Sequence, residues 1–173
     1  MIDILKPQGT FSCKLVRDGR VAEARNFVTD GGKNTALTRY FGAYVFTPVS
    51  WYIGLVNDTG STKFSNTDTM LSHPDWLEFT GYSTGATVRN NVGTGVVPAR
   101  GLWVHSTPSN GAILTTTQAH FSIQSSGTLF GVFVTSDGAA GGTNGVLWSI
   151  APWNNPLPVT PGEVLLVSYN LQM

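Results

Sequence analysis

Short segments in which apolar and polar residues alternate run through most of this chain. Each is closed by Gly, Pro, Asn, Asp or Ser, and a hydrophobic period of two with such punctuation belongs to strands and tight connections, not to helices. In residues 10–17, Phe11, Cys13 and Leu15 fall on one side and Ser12 and Lys14 on the other, which predicts a strand with one buried face. Asp18-Gly19 follows as a two-residue hairpin signal, because both residues tolerate positive φ, and residues 21–29 return as the partner strand.

Further strands are expected at residues 51–56, 102–105, 118–123, 129–135, 146–150 and 164–171. In residues 118–123, Ala119, Phe121 and Ile123 alternate with Gln118, His120 and Ser122; in the last strand, Leu165, Val167, Tyr169 and Leu171 face inward. Residues 129–135 are apolar on both faces, as a central strand covered on each side would be. Asp30-Gly31-Gly32 reads as a break, after which Asn34 or Thr35 caps a short helix carrying Leu37, Tyr40 and Phe41 on one face, ended by Gly42. That face is expected to plug an open end of a sheet. One more helical turn is expected over residues 68–72, capped by Thr67 or Asp68 and stopped before Pro74. Residues 81–95 read as irregular structure or an exposed ribbon, and residues 137–145 as a loose Gly/Ala loop. Pro152, Pro156, Pro158 and Pro161 space out an extended connection that proline keeps from pairing centrally. The fold class is therefore all-β, mainly antiparallel, a sandwich or barrel with one or two short helices in a single domain over residues 1–173.

Charge narrows the partners. Only 12% of the residues are charged, and ten basic side chains cancel ten acidic ones. Phosphate binding needs clustered Lys and Arg, and docking on an anionic membrane needs a basic face, so neither nucleic acid nor membrane is an expected partner. No stretch approaches the ~20 apolar residues that cross a bilayer. The start of the chain lacks the basic and apolar regions of a signal peptide. A neutral surface favours self-association or packing against another protein.

Chemistry is sparse. Cys13 is the sole cysteine, so no intrachain disulfide and no cysteine metal site is expected. His73, His105 and His120 show no metal or triad spacing: His120 reads as a surface residue, His105 sits at a strand end, and a turn role suffices for His73 before Pro74. Asp68 and Asp75 lack the regular spacing of a calcium loop. Gly93-Thr94-Gly95 lacks the lysine of a phosphate loop. Glu23, Glu78 and Glu163 are scattered. No catalytic residue, cofactor or metal is expected, and the chain is not expected to be an enzyme.

Five tryptophans in so small a chain stand out. Trp51 and Trp148 read as core or cover residues. Trp153 lies in the Pro-rich connection, where it either anchors an interface or packs over a sheet edge. With Pro156 and Leu157, and with Ile2 and Leu5 of a flexible N-terminal arm over residues 1–7, it forms the expected interface.

Several segments, taken in order, resemble small structural proteins of tailed bacteriophages. They are Asn26-Phe27-Val28-Thr29, the helix over residues 34–41, Trp51-Tyr52-Ile53-Gly54-Leu55 and Asp68-Thr69-Met70-Leu71-Ser72-His73-Pro74-Asp75-Trp76-Leu77-Glu78-Phe79. Residues 119–123, 127–136 and 145–147 and the close from Pro161-Gly162-Glu163 to Tyr169 continue the series. Residues 81–100 depart from it as an insertion. The resemblance implies a jelly-roll-like β-sandwich on the capsid exterior of the virion, made in the bacterial host cytoplasm. It implies a head decoration, or cement, protein whose partner is the major capsid protein, working as a homo-oligomer (dimer or trimer). The alternative is a tail or tail-fibre component that binds a host-surface receptor or carbohydrate.

Overall fold

The computed structural model describes residues 7–42, 49–89 and 96–172. In chain order its elements are β1 (Gln8–Leu15), β2 (Val21–Arg25), β3 (Phe27–Val28), α1 (Asp30–Phe41), β4 (Tyr52–Asn57), β5 (Leu77–Phe79), β6 (Tyr82–Ser83), β7 (Thr87–Arg89) and β8 (Val96–Pro98). Then come β9 (Gly101–Leu102), β10 (Val104–His105), β11 (Ala112–Ile113), β12 (Thr115–Thr117), β13 (Ala119–Ile123), β14 (Gly127–Thr135), β15 (Leu147–Val159) and β16 (Val164–Gln172).

Two large antiparallel sheets carry the architecture, one ordered β2-β1-β16-β13-β6 and the other β3-β15-β14-β4-β5. The chain passes from β13 in the first sheet to β14 in the second, turns into β15 and comes back as β16 beside β13. This long hairpin therefore runs across both sheets of the sandwich. β1 flanks β16, and β3 flanks β15, on its outer side. Inward residues of both sheets meet in one core that includes Phe11, Phe121, Val132, Val134, Leu165, Val167 and Tyr169.

β14 lies between β15 and β4, as its two apolar faces require. Val132 and Val134 enter the main core, while Phe133 points the other way into a second cluster with Val56, Met70, Trp76, Leu147 and Ile150. Residues 58–76 fold over that outer face. The helical turn expected at residues 68–72 is absent, and a bend at Met70 and Leu71 stands in its place. The Asp68 side chain accepts hydrogen bonds from the Ser65 amide (2.9 Å) and from Trp76 Nε1 (3.0 Å), so it ties the loop to its buried tryptophan instead of capping a helix. The expected ribbon is present as the pair β7-β8.

The first hairpin forms, with a longer loop than two residues. Leu15 and Arg20 close it through Leu15 N–H to Arg20 O (2.9 Å), leaving Val16 to Gly19 in the loop and Gly19 at φ 72°. The Asp18 carboxylate accepts from the Arg20 amide, which with the adjacent guanidinium holds its pKa below the usual value. A Cβ at Gly19 would meet nothing within 4 Å, so Gly19→Val carries a purely backbone cost. It is expected to lower stability by about 1–2 kcal/mol, with Gly19→Asn costing less. Urea unfolding curves of the two variants check this, and an unchanged midpoint for Gly19→Val would place the strain elsewhere.

The helix begins four residues earlier than Asn34. Thr29 is its N-cap, accepting from the Gly32 amide at 3.1 Å, and Asp30 opens the first turn where the helix dipole favours an anion. Gly31-Gly32 therefore does not break the chain. A Cβ on Gly32 would clash with the Trp148 carbonyl oxygen, so glycine lets the helix start lie directly on β15. Gly42 is the C-cap as expected. Leu37, expected to plug the sheet, is 55% exposed. The side chains of Tyr40 and Phe41 lie outside the described residues.

Candidate functional site

The Pro-rich segment is not a surface connection. It continues β15 to Val159 and pairs with β14 on both sides of an irregularity, Leu129 meeting Leu157 and Gly131 meeting Pro152, with residues 153–156 between them unpaired to β14. Beyond Ile150 the other side of β15 has no strand partner among the described residues, so the prolines occupy an edge where no ladder donor is needed. Alternation then decides which residues turn inward. Trp153 is 4% exposed and Leu157 6%, both in the main core, so the expectation of an exposed anchor at these positions is corrected. Pro156 is exposed and lines a shallow groove with Arg20, Val21, Glu23, Asn154 and Asn155. Ile2 and Leu5 lie outside the described residues.

A different surface brings tryptophans together. Trp51, Trp103 and Trp148 line a cleft of about 200 Å³ at one end of the sandwich, with Val28, Ile113, Leu171, Ala36 and Pro7. Lys33 and Arg39 reach it from α1, and His105 from β10. Trp51 and Trp148 lie 5.6 Å apart between ring centroids, tilted by 58°, both half-buried and packed as cover against the main core. Trp103 and His105 share one side of an extended stretch and stand 4.4 Å apart.

Two of the three indole donors of the cleft are used internally. Trp103 Nε1 donates to Thr115 Oγ1 (3.0 Å) and Trp148 Nε1 to the Tyr169 hydroxyl (3.1 Å). Asn26 also donates to that hydroxyl, and burial pushes the Tyr169 phenol above its ordinary pKa, so it stays protonated. Leu102, Val104 and Leu114, neighbours in sequence of the lining residues Trp103 and Ile113, are exposed large apolar side chains. Lys33 is paired with Asp30 at 3.1 Å, and no carboxylate lines the cleft among the described residues.

The remaining polar groups serve the fold. Arg100, buried completely, donates from Nε and Nη2 to both oxygens of Glu78 (2.9 and 2.7 Å) and lies 5.3 Å above the Phe133 ring. It also donates to the carbonyls of Asp137 and Gly142, while Glu78 accepts from the Gly141 amide. The glycine-rich segment expected to be loose is thus pinned at its start and in its middle.

His73 stacks on Trp76 at 3.7 Å, and His120 is exposed on its strand. Burial pushes the Cys13 thiol up to about 11, so it is a neutral core side chain and not a nucleophile. Among the described residues, no three His, Cys, Asp or Glu side chains converge as metal ligands would.

In the sequence Trp51 and Trp148 read as core or cover residues, with nothing to join them to Trp103. The signal at hand was Trp103 and His105 two apart in a strand pattern; nothing in the spacing of Lys33, Arg39 or Ile113 pointed to the same place. No family model matches the chain, and no curated protein or solved structure is significantly similar to it.

Proposed function

We propose that this chain is a non-enzymatic structural protein of a tailed-phage virion, a capsid decoration protein that binds the major capsid protein on the outside of the shell. The observation that carries its mode of action is the tryptophan-lined cleft, with exposed Leu102, Val104 and Leu114 beside it in sequence, on a protein with no net charge. An apolar cleft on a neutral surface is a candidate docking site for a protein partner. The series of segments similar to phage structural proteins supplies the identity of that partner. The docking end is the cleft, in place of Trp153 and Leu157, which the core retains.

Shells filled with DNA are under internal pressure. A preformed sandwich bridging two subunits adds buried apolar area across their seam, worth ~25 cal/mol per Å² before the costs of association. Repetition over a symmetric shell multiplies a modest contact.

Co-sedimentation with purified capsids tests the reading. The chain is expected to bind at high copy number in a fixed ratio to the shell subunit and to raise the temperature at which capsids rupture. Leu114→Lys, at an exposed position, is expected to weaken binding at least tenfold while leaving the unfolding temperature of the free domain in place. A chain found at a few copies in tails, or bound to host-surface carbohydrate and not to shells, would replace this reading with that of a tail component.

A further inference from the structure

We infer that the tryptophan cleft is an anchor site for one apolar ring side chain of a partner protein, with a carboxylate beside that ring. This rests on the reading that the chain docks on protein, and it names the chemistry that the cleft selects.

Size sets the first limit. A volume of about 200 Å³ falls below the roughly 300–1,000 Å³ of sites that enclose a drug-sized ligand, and suits a single ring. Lining chemistry sets the second. Trp51 and Trp148 are half-buried, Trp103 is nearly buried at the cleft wall, Val28, Ile113 and Leu171 are aliphatic, and the N–H groups of Trp103 and Trp148 are already spent on Thr115 and Tyr169. A sugar ring lodged here would lose water from hydroxyls that find few partners, whereas an apolar ring has none to lose and packs edge or face against the indoles.

Charge sets the third. Aromatic cages that take cations gain from the negative ring faces and avoid fixed positive charge. Here Lys33 and Arg39 both line the cleft. Asp30 engages Lys33, while Arg39 forms no salt bridge among the described residues. A guanidinium beside an apolar slot matches a carboxylate beside an apolar ring, since its planar fork takes two carboxylate oxygens at once. The guest is therefore the tip of an acidic, aromatic-bearing protein segment.

Small probes separate this from its rivals without any capsid. Phenylacetate carries a ring and a carboxylate, phenethylamine a ring and a cation, and glucuronate a sugar ring and a carboxylate. Indole N–H resonances of the full chain, followed by NMR, report on all five tryptophans at once, with buried Trp76 and Trp153 as internal controls. Phenylacetate is expected to shift the signals of Trp51, Trp103 and Trp148 saturably in the low-millimolar range, at least tenfold more tightly than phenethylamine or glucuronate. Arg39→Glu is expected to abolish that preference with the Trp76 and Trp153 signals unmoved.

Equal binding of phenethylamine would overturn the charge argument. Tighter binding of glucuronate would make the cleft a saccharide site, and no shift at the three indoles would remove it as an anchor. A chain that decorates capsids yet takes no ring refutes the anchor alone. A chain that takes phenylacetate yet never reaches a particle refutes the capsid reading alone.

Discussion

Replacing Arg100 with methionine is expected to destabilise the protein by about 3–5 kcal/mol, because it strands a carboxylate in a place built for an ion pair. The Arg100 side chain is fully buried and Glu78 nearly so. Glu78 would keep the Gly141 amide and the Tyr82 hydroxyl as donors, but would lose both guanidinium bonds. The carbonyls of Asp137 and Gly142 would lose their guanidinium donor together, so the 137–145 segment would be held less firmly, by the Gly141 amide on Glu78 and by backbone hydrogen bonds. At roughly 2–4 °C per kcal/mol for a domain of this size, thermal unfolding is expected to fall by about 10 °C.

A control separates the pair from the packing. Glu78→Gln with Arg100→Met removes the stranded charge and is expected to recover a large part of the loss. A shift of less than about 1 °C for Arg100→Met alone would show that water reaches Glu78 and that the clamp contributes nothing. Hydrogen exchange of the Gly141 amide gives an independent reading, since its protection depends on Glu78 staying in place.

Trp153→Ala is expected to cost a further 3–5 kcal/mol or so in its own right, the usual price of an aromatic removed from a packed core. Its ring sits in the main core with Leu157 and Val159, so the loss opens a cavity between the sheets. Were Trp153 a surface anchor, the same substitution would leave the fold intact and weaken only docking. Trp153→Phe refines the test. The Trp153 indole N–H is buried without a hydrogen-bond partner among the described residues, so phenylalanine removes an unpaired donor along with part of the ring. Its cost is expected to be well under half that of alanine. Urea unfolding of both variants, with the slope of the transition held constant, decides between the two accounts. A Trp153→Ala variant as stable as the parent would return this residue to the surface.

Much of the sandwich was legible because burial on one face of a strand leaves a period of two in the sequence. Phe11, Cys13 and Leu15, then Ala119, Phe121 and Ile123, then Leu165, Val167, Tyr169 and Leu171 all turned inward as their alternation required. β14, apolar on both sides, proved central because residues 58–76 cover its outer face. Where the local pattern misled, a long-range contact was the cause. Gly31-Gly32 reads as a break until Trp148 is brought against it, and the bare backbone becomes the reason that a helix can start there. The Pro-rich stretch reads as surface because proline cannot donate to a ladder; at the edge of a sheet it need not, and the residues between the prolines are free to face the core.

Sequence alone determined the class of fold, the central strands and the absence of strong charge, since each follows from residue type and spacing over a few positions. The tertiary structure alone decided the sites. The pairing of Arg100 with Glu78, across 22 positions, and the gathering of Trp51, Trp103 and Trp148 with Lys33 and Arg39, depend on which strands become neighbours. That choice is made by the closing of two sheets over one core, and no local spacing records it.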